Sequence, residues 1–236
     1  MKQTLTIPTS LKDITLKSYQ RFLDVAEDSD EQFIREKMIQ IFCGVELLHI
    51  QHIPSKDFIE ITDGITTVLS ETPELKQTFK LDGITYGFIP NLDKMSLGEF
   101  IDLDTHIGNW QKMHIAMSVL YRPITEKKGE KYRIEAYEGE PNEAFKKMPL
   151  DIVIGSMLFF WTIGNDLLNY IKNYLPRVAR EQQKKVQETL IANGVGTSQL
   201  THSVEGITSE LRQSLNRTFI PPSIIYATSK IKPKQN

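Results

Sequence analysis

Four potential metal ligands recur at every third position: Cys43, Glu46, His49 and His52. On an unbroken helix, successive members lie close to one face, within reach of a single ion. Glu46 and His49 also have the Glu-x-x-His spacing of di-iron helical bundles, which need a second such motif and two further glutamates. This chain has one motif. Four neighbours stacked along one helix make a poor tetrahedral cage. The plainer expectation is a buried thiol and partly exposed histidines at a helix end, with no metal. A second cluster is Glu99, Asp102 and His106, with Asp104 near it. A carboxylate four residues before a histidine raises the imidazole pKa and can make a base. The commoner outcome is a surface pair worth roughly a few tenths of a kcal/mol. His114 lies beside a predicted Trp110/Met113/Met117 face, as a packing or hydrogen-bonding residue. Arg122 is expected to cap the end of that helix or to pair with Asp102 or Asp104.

The usual catalytic motifs are missing. There is no GxxxxGK[ST] loop, no GxGxxG after a strand, no GxSxG elbow and no HExxH pair. Nucleotide, dinucleotide, serine-hydrolase and zincin chemistries lose their cheapest signals. The expectation is a protein that is not an enzyme and uses no cofactor.

These residues must be positioned by a chain of 236 residues, 40% hydrophobic and 25% charged. That is enough to bury a core without metal or disulfide staples, and one cysteine excludes an internal disulfide. Charge is unevenly spread. Residues 177–236 hold nine Lys/Arg and four Asp/Glu, a net +5, and the remainder carries −7. A basic end can touch nucleic acid or an acidic partner. No dense basic run occurs, so nucleic acid is not the expected partner. No secretory signal is seen at the N-terminus. The longest apolar block, Ile152–Gly164, falls short of the roughly 20 residues of a membrane span, so no membrane partner is expected.

Periodicity predicts a mainly helical fold with minor β structure. A short strand is expected over Thr4–Ile7. Thr15 caps a helix carrying Leu16, Tyr19, Leu23 and Ala26. Ser29 and Gln32 suit a capping box for a helix through Val45, which Gly44 ends or lets through. A further helix covers Phe58–Leu69. Gln77–Leu81 and Ile84–Phe88 flank Asp82-Gly83, the signature of a type I′ hairpin. Ser96 and Glu99 form a second capping box, with Met95 and Phe100 placed as a hydrophobic staple. Asn109 caps the Trp110–Leu120 helix and Pro123 stops it. Ile124–Tyr137 is β-leaning and turns near Lys128-Gly129. A short helix over Glu143–Lys147 precedes a long central one, Leu150–Leu175, broken at Pro176. The expected organisation is one helical domain, 1–176, with a basic, partly flexible helical extension, 177–236. Phe159, Phe160 and Trp161 are candidate interface residues, as are Ile224, Ile225 and Tyr226 near the C-terminus.

The run Leu81–Asp93, then Met95–Asp104, then Trp110, Met113-His114 and Ala116–Pro123, resembles a group of proteins from tailed bacteriophages, including phages of Bacteroidota and crAss-like phages. The opening Ile7–Leu16, and Met148–Asp151 leading into Phe159-Phe160-Trp161, fit the same pattern. The resemblance covers residues 4–175. It implies a non-enzymatic morphogenesis protein of the tail or head–tail region, either a virion component or a tail assembly chaperone. Its partners would be other phage structural or tail proteins, with a homo-oligomer also open. Its place would be the host cytoplasm during assembly, and the virion if it is retained. No catalytic residues come with the resemblance. Two alternatives stand beside it: a metal-binding module or enzyme using Cys43, Glu46, His49 and His52, and a DNA-binding accessory protein using the basic end.

Overall fold

A computed structural model describes residues 5–26, 29–187 and 209–214. Contacts divide the chain into a unit up to Leu158 and a second from Phe159 to Ile220. The first unit opens with a 3-10 turn, Leu11–Asp13, and no strand forms at Leu5–Ile7. Helix α1 (Leu16–Ala26) follows, its first turn tied down by the Thr15 hydroxyl, which accepts from the Ser18 N–H at 3.1 Å. Leu16, Tyr19, Phe22 and Ala26 are buried along one face, as the spacing predicts.

Helix α2 (Glu31–Phe42) is capped by Asp30, whose carboxylate accepts from the Phe33 N–H at 2.9 Å. The Ser29 box does not form, because the Ser29 hydroxyl donates to the Val25 carbonyl at 2.7 Å instead. Gly44 ends α2 at a φ of +68°, the left-handed geometry of a helix stop. The single turn α3 (Leu47–Ile50) and helix α4 (Ser55–Leu69) complete this layer, with α4 running unbroken through Asp63-Gly64.

The sheet is an antiparallel meander of β1 (Thr78–Leu81), β2 (Ile84–Phe88), β3 (Tyr121–Lys128) and β4 (Lys131–Ile134). Asp82 and Gly83 both take positive φ in the β1–β2 turn, as a type I′ loop requires. Helix α5 (Leu97–His106) and helix α6 (Met113–Leu120) intervene between β2 and β3. Pro123 does not stop α6. The chain passes straight from Leu120 into β3, and Pro123 sits within that strand opposite Tyr86. The stretch Glu143–Lys147 is a 3-10 turn.

Helix α7 (Leu150–Gln187) runs continuously through Pro176, so the predicted break at 176 is not observed. Residues 150–158 belong to the first unit and are its core: Leu150, Ile152, Val153, Ile154 and Met157 are each 2% exposed or less. Leu150 N–H donates to the Ile14 carbonyl and Leu16 N–H to the Met148 carbonyl, which ties α1 to the start of α7. On the other side, Tyr121 is 1% exposed and its hydroxyl contacts the Lys76 carbonyl at 2.8 Å and the Ser156 hydroxyl at 3.0 Å. Lys76 pairs with the buried Asp151. The backbone at Glu74 lies so close to α7 that a Cβ on Gly155 would meet the Glu74 carbonyl oxygen at 2.5 Å. Phe79, Tyr86 and Phe145 close the space above, with ring centroids 4.9 to 6.0 Å apart.

Among the described residues, Leu150–Ile171 is one helix long and apolar enough to cross a membrane by length and composition, and 44% of its 18-residue apolar window is buried inside the protein. It is longer than the block Ile152–Gly164 suggests, because Leu167, Leu168, Tyr170 and Ile171 extend it past Asp166. In the second unit, a helical stretch at 209–214 contributes Arg212, whose guanidinium donates to Asn169 Oδ1 at 2.9 Å. The predicted patch Ile224-Ile225-Tyr226 lies outside the described residues.

The close approach at Gly155 yields a paired prediction. Gly155→Ala destabilises the fold by about 1–3 kcal/mol through overpacking against backbone. Gly98→Ala, in α5 with nothing within 4 Å of its Cβ, stabilises by up to about 1 kcal/mol. Urea denaturation of both variants checks this, and a neutral Gly155→Ala would contradict the packing of residue 74 on α7.

Candidate functional site

The structure separates the cysteine–histidine cluster. Cys43 is the C-cap of α2, Gly44 turns the chain, and Glu46 precedes α3, so the four residues do not share a helix. Glu46, His49 and His52 are exposed. The His52 Nδ1 contacts the Leu48 carbonyl at 2.8 Å. Burial pushes the Cys43 thiol up to about 11, away from the thiolate a metal or nucleophile needs. Among the described residues, no group of three or more His, Cys, Asp or Glu is placed to hold a metal.

The second cluster is brought together, with different partners from those expected. The Ser96–Glu99 capping box forms: Ser96 N–H donates to Glu99 Oε2 at 2.6 Å, and Glu99 N–H donates to Ser96 Oγ at 3.3 Å. The other carboxylate oxygen, Oε1, is paired with the Arg122 guanidinium from β3. Glu99 is 7% exposed. Arg122 therefore neither caps α6 nor pairs with Asp102 or Asp104. Asp102 accepts from the Tyr137 hydroxyl at 2.6 Å, and the Tyr137 ring lies 5.8 Å from the Arg122 guanidinium carbon. The carboxylate that was a candidate partner for His106 is thus bound to a phenol. The Nδ1 atoms of His106 and His114 and the Nε of Arg122 are buried with no hydrogen-bond partner.

Burial pushes the Glu99 carboxyl up, but the Ser96 backbone and hydroxyl donors and the Arg122 charge together hold it below its ordinary value. Burial and the Lys146 charge lower His114, against the opposing pull of Glu143, which meets its Nε2 at 3.2 Å. Burial and the Asp102 carboxylate push the Tyr137 phenol up. No nucleophile activated by an adjacent base is present in this group. Its chemistry is that of a buried ion pair with a phenol clamp, which holds α5 to β3.

One side of α5 is spent on this network, and the other is apolar and outward. Leu97 is 75% exposed, Phe100 58% and Ile101 52%. Phe100, placed by the sequence as a staple partner of Met95, is mostly exposed. Asp93 and Asp104 flank these residues, and Glu138 and Glu140 follow Tyr137. All four are exposed. From sequence, Glu99, Asp102 and His106 are expected to form a surface pair, whereas Glu99 is buried and Leu97, Phe100 and Ile101 face outward. A concavity of about 680 Å³ lies between α2, α3 and α4, with Arg35, Glu36, Ile50 and Phe58 among its lining. Arg35 is already spent there on Glu31, Asp63 and Thr62.

The predicted interface residues Phe159, Phe160 and Trp161 stand together on α7, each partly exposed. The first two rings meet edge-on at 5.4 Å. Beyond them Ile163, Leu167 and Tyr170 are 43%, 57% and 60% exposed. A scan of protein-family models, a search of curated proteins and a search of solved structures each find no match.

Two predictions follow from the Glu99–Arg122 pair and from His114. Glu99→Ala leaves Arg122 buried without its counter-charge and removes the cap, and costs about 3–5 kcal/mol by chemical denaturation. Asp104→Ala on the same helix, exposed, stays within about 0.5 kcal/mol. Acid destabilises the protein in two stages. His114 is held below 6.5 in the folded state, so below that pH the unfolded chain takes up the proton first and stability falls. Glu99 adds a second loss below 4.5, as its folded-state carboxylate is protonated. His114→Gln flattens the fall in thermal midpoint between pH 7 and 5. A midpoint that rises on acidification would contradict both assignments.

Proposed function

We propose that this chain is a non-enzymatic morphogenesis protein of a tailed phage that acts by protein–protein contact in the tail or head–tail region. The observation that carries the contact role is the row of large apolar side chains held outward on α7. Ile163 and Leu167, four residues apart, share one face and are about half exposed. Three adjacent, partly exposed aromatics precede them, and aromatics are enriched where interfaces concentrate their binding energy. A buried ion pair in place of an activated nucleophile, and a thiol kept protonated by burial, fit a contact role better than a catalytic one.

The sequence resemblance over residues 4–175 supplies the phage setting. A virion component and a tail assembly chaperone both need exposed apolar contact surface and no active site. Other phage structural or tail proteins are the proposed partners, met in the host cytoplasm during assembly.

The test is capture from infected cells. The wild-type chain brings down phage structural or tail proteins. The double variant Ile163→Asp/Leu167→Asp loses at least about tenfold of that capture, the equivalent of 1.4 kcal/mol, with an unchanged circular dichroism spectrum. Equal capture by the variant would overturn the assignment of the surface. Turnover of a substrate by the purified chain, abolished by one point substitution, would overturn the non-enzymatic reading.

A further inference from the structure

We infer that the outward face of α5 pairs with the same face of a second copy of this chain, in an antiparallel two-fold contact. Leu97, Phe100 and Ile101 stand at i, i+3 and i+4, so they form one continuous apolar patch. Asp104 lies one turn further along the same face, four residues from Phe100 and three from Ile101, and is exposed. At the opposite end Lys94, also exposed, closes the 3-10 turn that leads into the Ser96 cap. The face therefore carries its cation before the helix N-terminus and its anion in the last turn. Each stands at the end where the helix dipole disfavours it.

An antiparallel second copy answers both. In a pair centred along the helix at position 99, Leu97 of each copy is level with Ile101 of the other, and the Lys94 end of each meets Asp104 of the other. Each Phe100 is one position from that centre, so the two rings meet beside the two-fold axis. A two-fold contact must be self-complementary, and this spacing is. A parallel pair would instead set Lys94 against Lys94 and Asp104 against Asp104. The remaining charges do not oppose the antiparallel pair. Asp93 beside Lys94, and Lys112 in the 3-10 turn after α5, give each end of the patch both signs. Glu99 and Asp102 are turned away onto Arg122 and Tyr137. Glu138 and Glu140 follow Tyr137 on the Asp102 side, about 100° round the helix from Ile101, and so border the patch rather than line it. Three apolar side chains per copy make a small contact, which implies a weak dimer with a Kd on the order of 10–100 µM. The inference concerns a different helix from the α7 row, and its failure would leave the phage reading untouched.

Sedimentation equilibrium of the full-length protein at low salt tests it. The wild type is expected to exchange between monomer and dimer. Lys94→Glu and Asp104→Lys, both at exposed positions that leave the fold intact, each weaken the dimer by at least about fivefold. An equimolar mixture of the two single variants recovers an affinity close to wild type, because each supplies the sign the other lacks. Three results would overturn the inference. One is a wild type that stays monomeric up to about 1 mM, which would leave a different protein as the occupant. Another is self-association that neither variant changes, which would place it on another face. The third is a mixture no tighter than either variant alone, which would exclude the antiparallel register.

Discussion

The buried pairing of Glu99 with Arg122 joins the start of α5 to the sheet at β3. Taking two charges out of water costs several kcal/mol each, and the cost is offset only when every polar atom finds a partner. Glu99 meets that condition, whereas the Nε of Arg122 is buried without a hydrogen-bond partner. One carboxylate oxygen closes the start of α5 against the Ser96 N–H, and the other takes the guanidinium from β3. A local helix cap and a long-range tie between helix and sheet are thus made by one side chain. Tyr137 extends the arrangement by donating to Asp102 while its ring faces Arg122.

That pairing also decides which way α5 faces. With Glu99 and Asp102 turned toward Arg122 and Tyr137, successive residues at about 100° intervals place Leu97 and Ile101 nearly opposite. The helix therefore hides carboxylates and displays Leu97, Phe100 and Ile101. A protein that shows apolar residues on α5 and again on α7 spends solubility on them, which is the usual mark of surfaces meant to be covered. The core itself is conventional. The first turns of α7 are packed on every side by α1, the sheet and the segment leading into β1.

What was legible in the sequence was what is local. The Asp82-Gly83 turn and the Ser96/Glu99 box are set by residues within four positions of each other, and both stand as read. So do α1, α4 and the mainly helical class with its small sheet. Where two local signals competed, the reading slipped by one residue: Ser29 and Asp30 both suit an N-cap, and Ser29 is spent on the Val25 carbonyl. Proline was over-read twice, since α7 runs through Pro176 and Pro123 lies inside a strand. The metal-like spacing of Cys43 to His52 assumed an unbroken helix, which Gly44 denies. The Arg122 partner was missed because the Ser96 capping box accounted for Glu99 locally, while one carboxylate oxygen remained free to take the guanidinium from β3.

The central claim is the proposal that the outward apolar row on α7 is covered by phage structural or tail proteins. Quantitative mass spectrometry of purified virions, set against complexes isolated from infected-cell lysate, addresses it most directly. The claim predicts this chain at fixed stoichiometry with phage structural or tail proteins in at least one of the two fractions: in virions if it is a structural component, in lysate complexes alone if it is an assembly factor. A chain absent from virions and recovered from lysate free of every phage structural protein would contradict it.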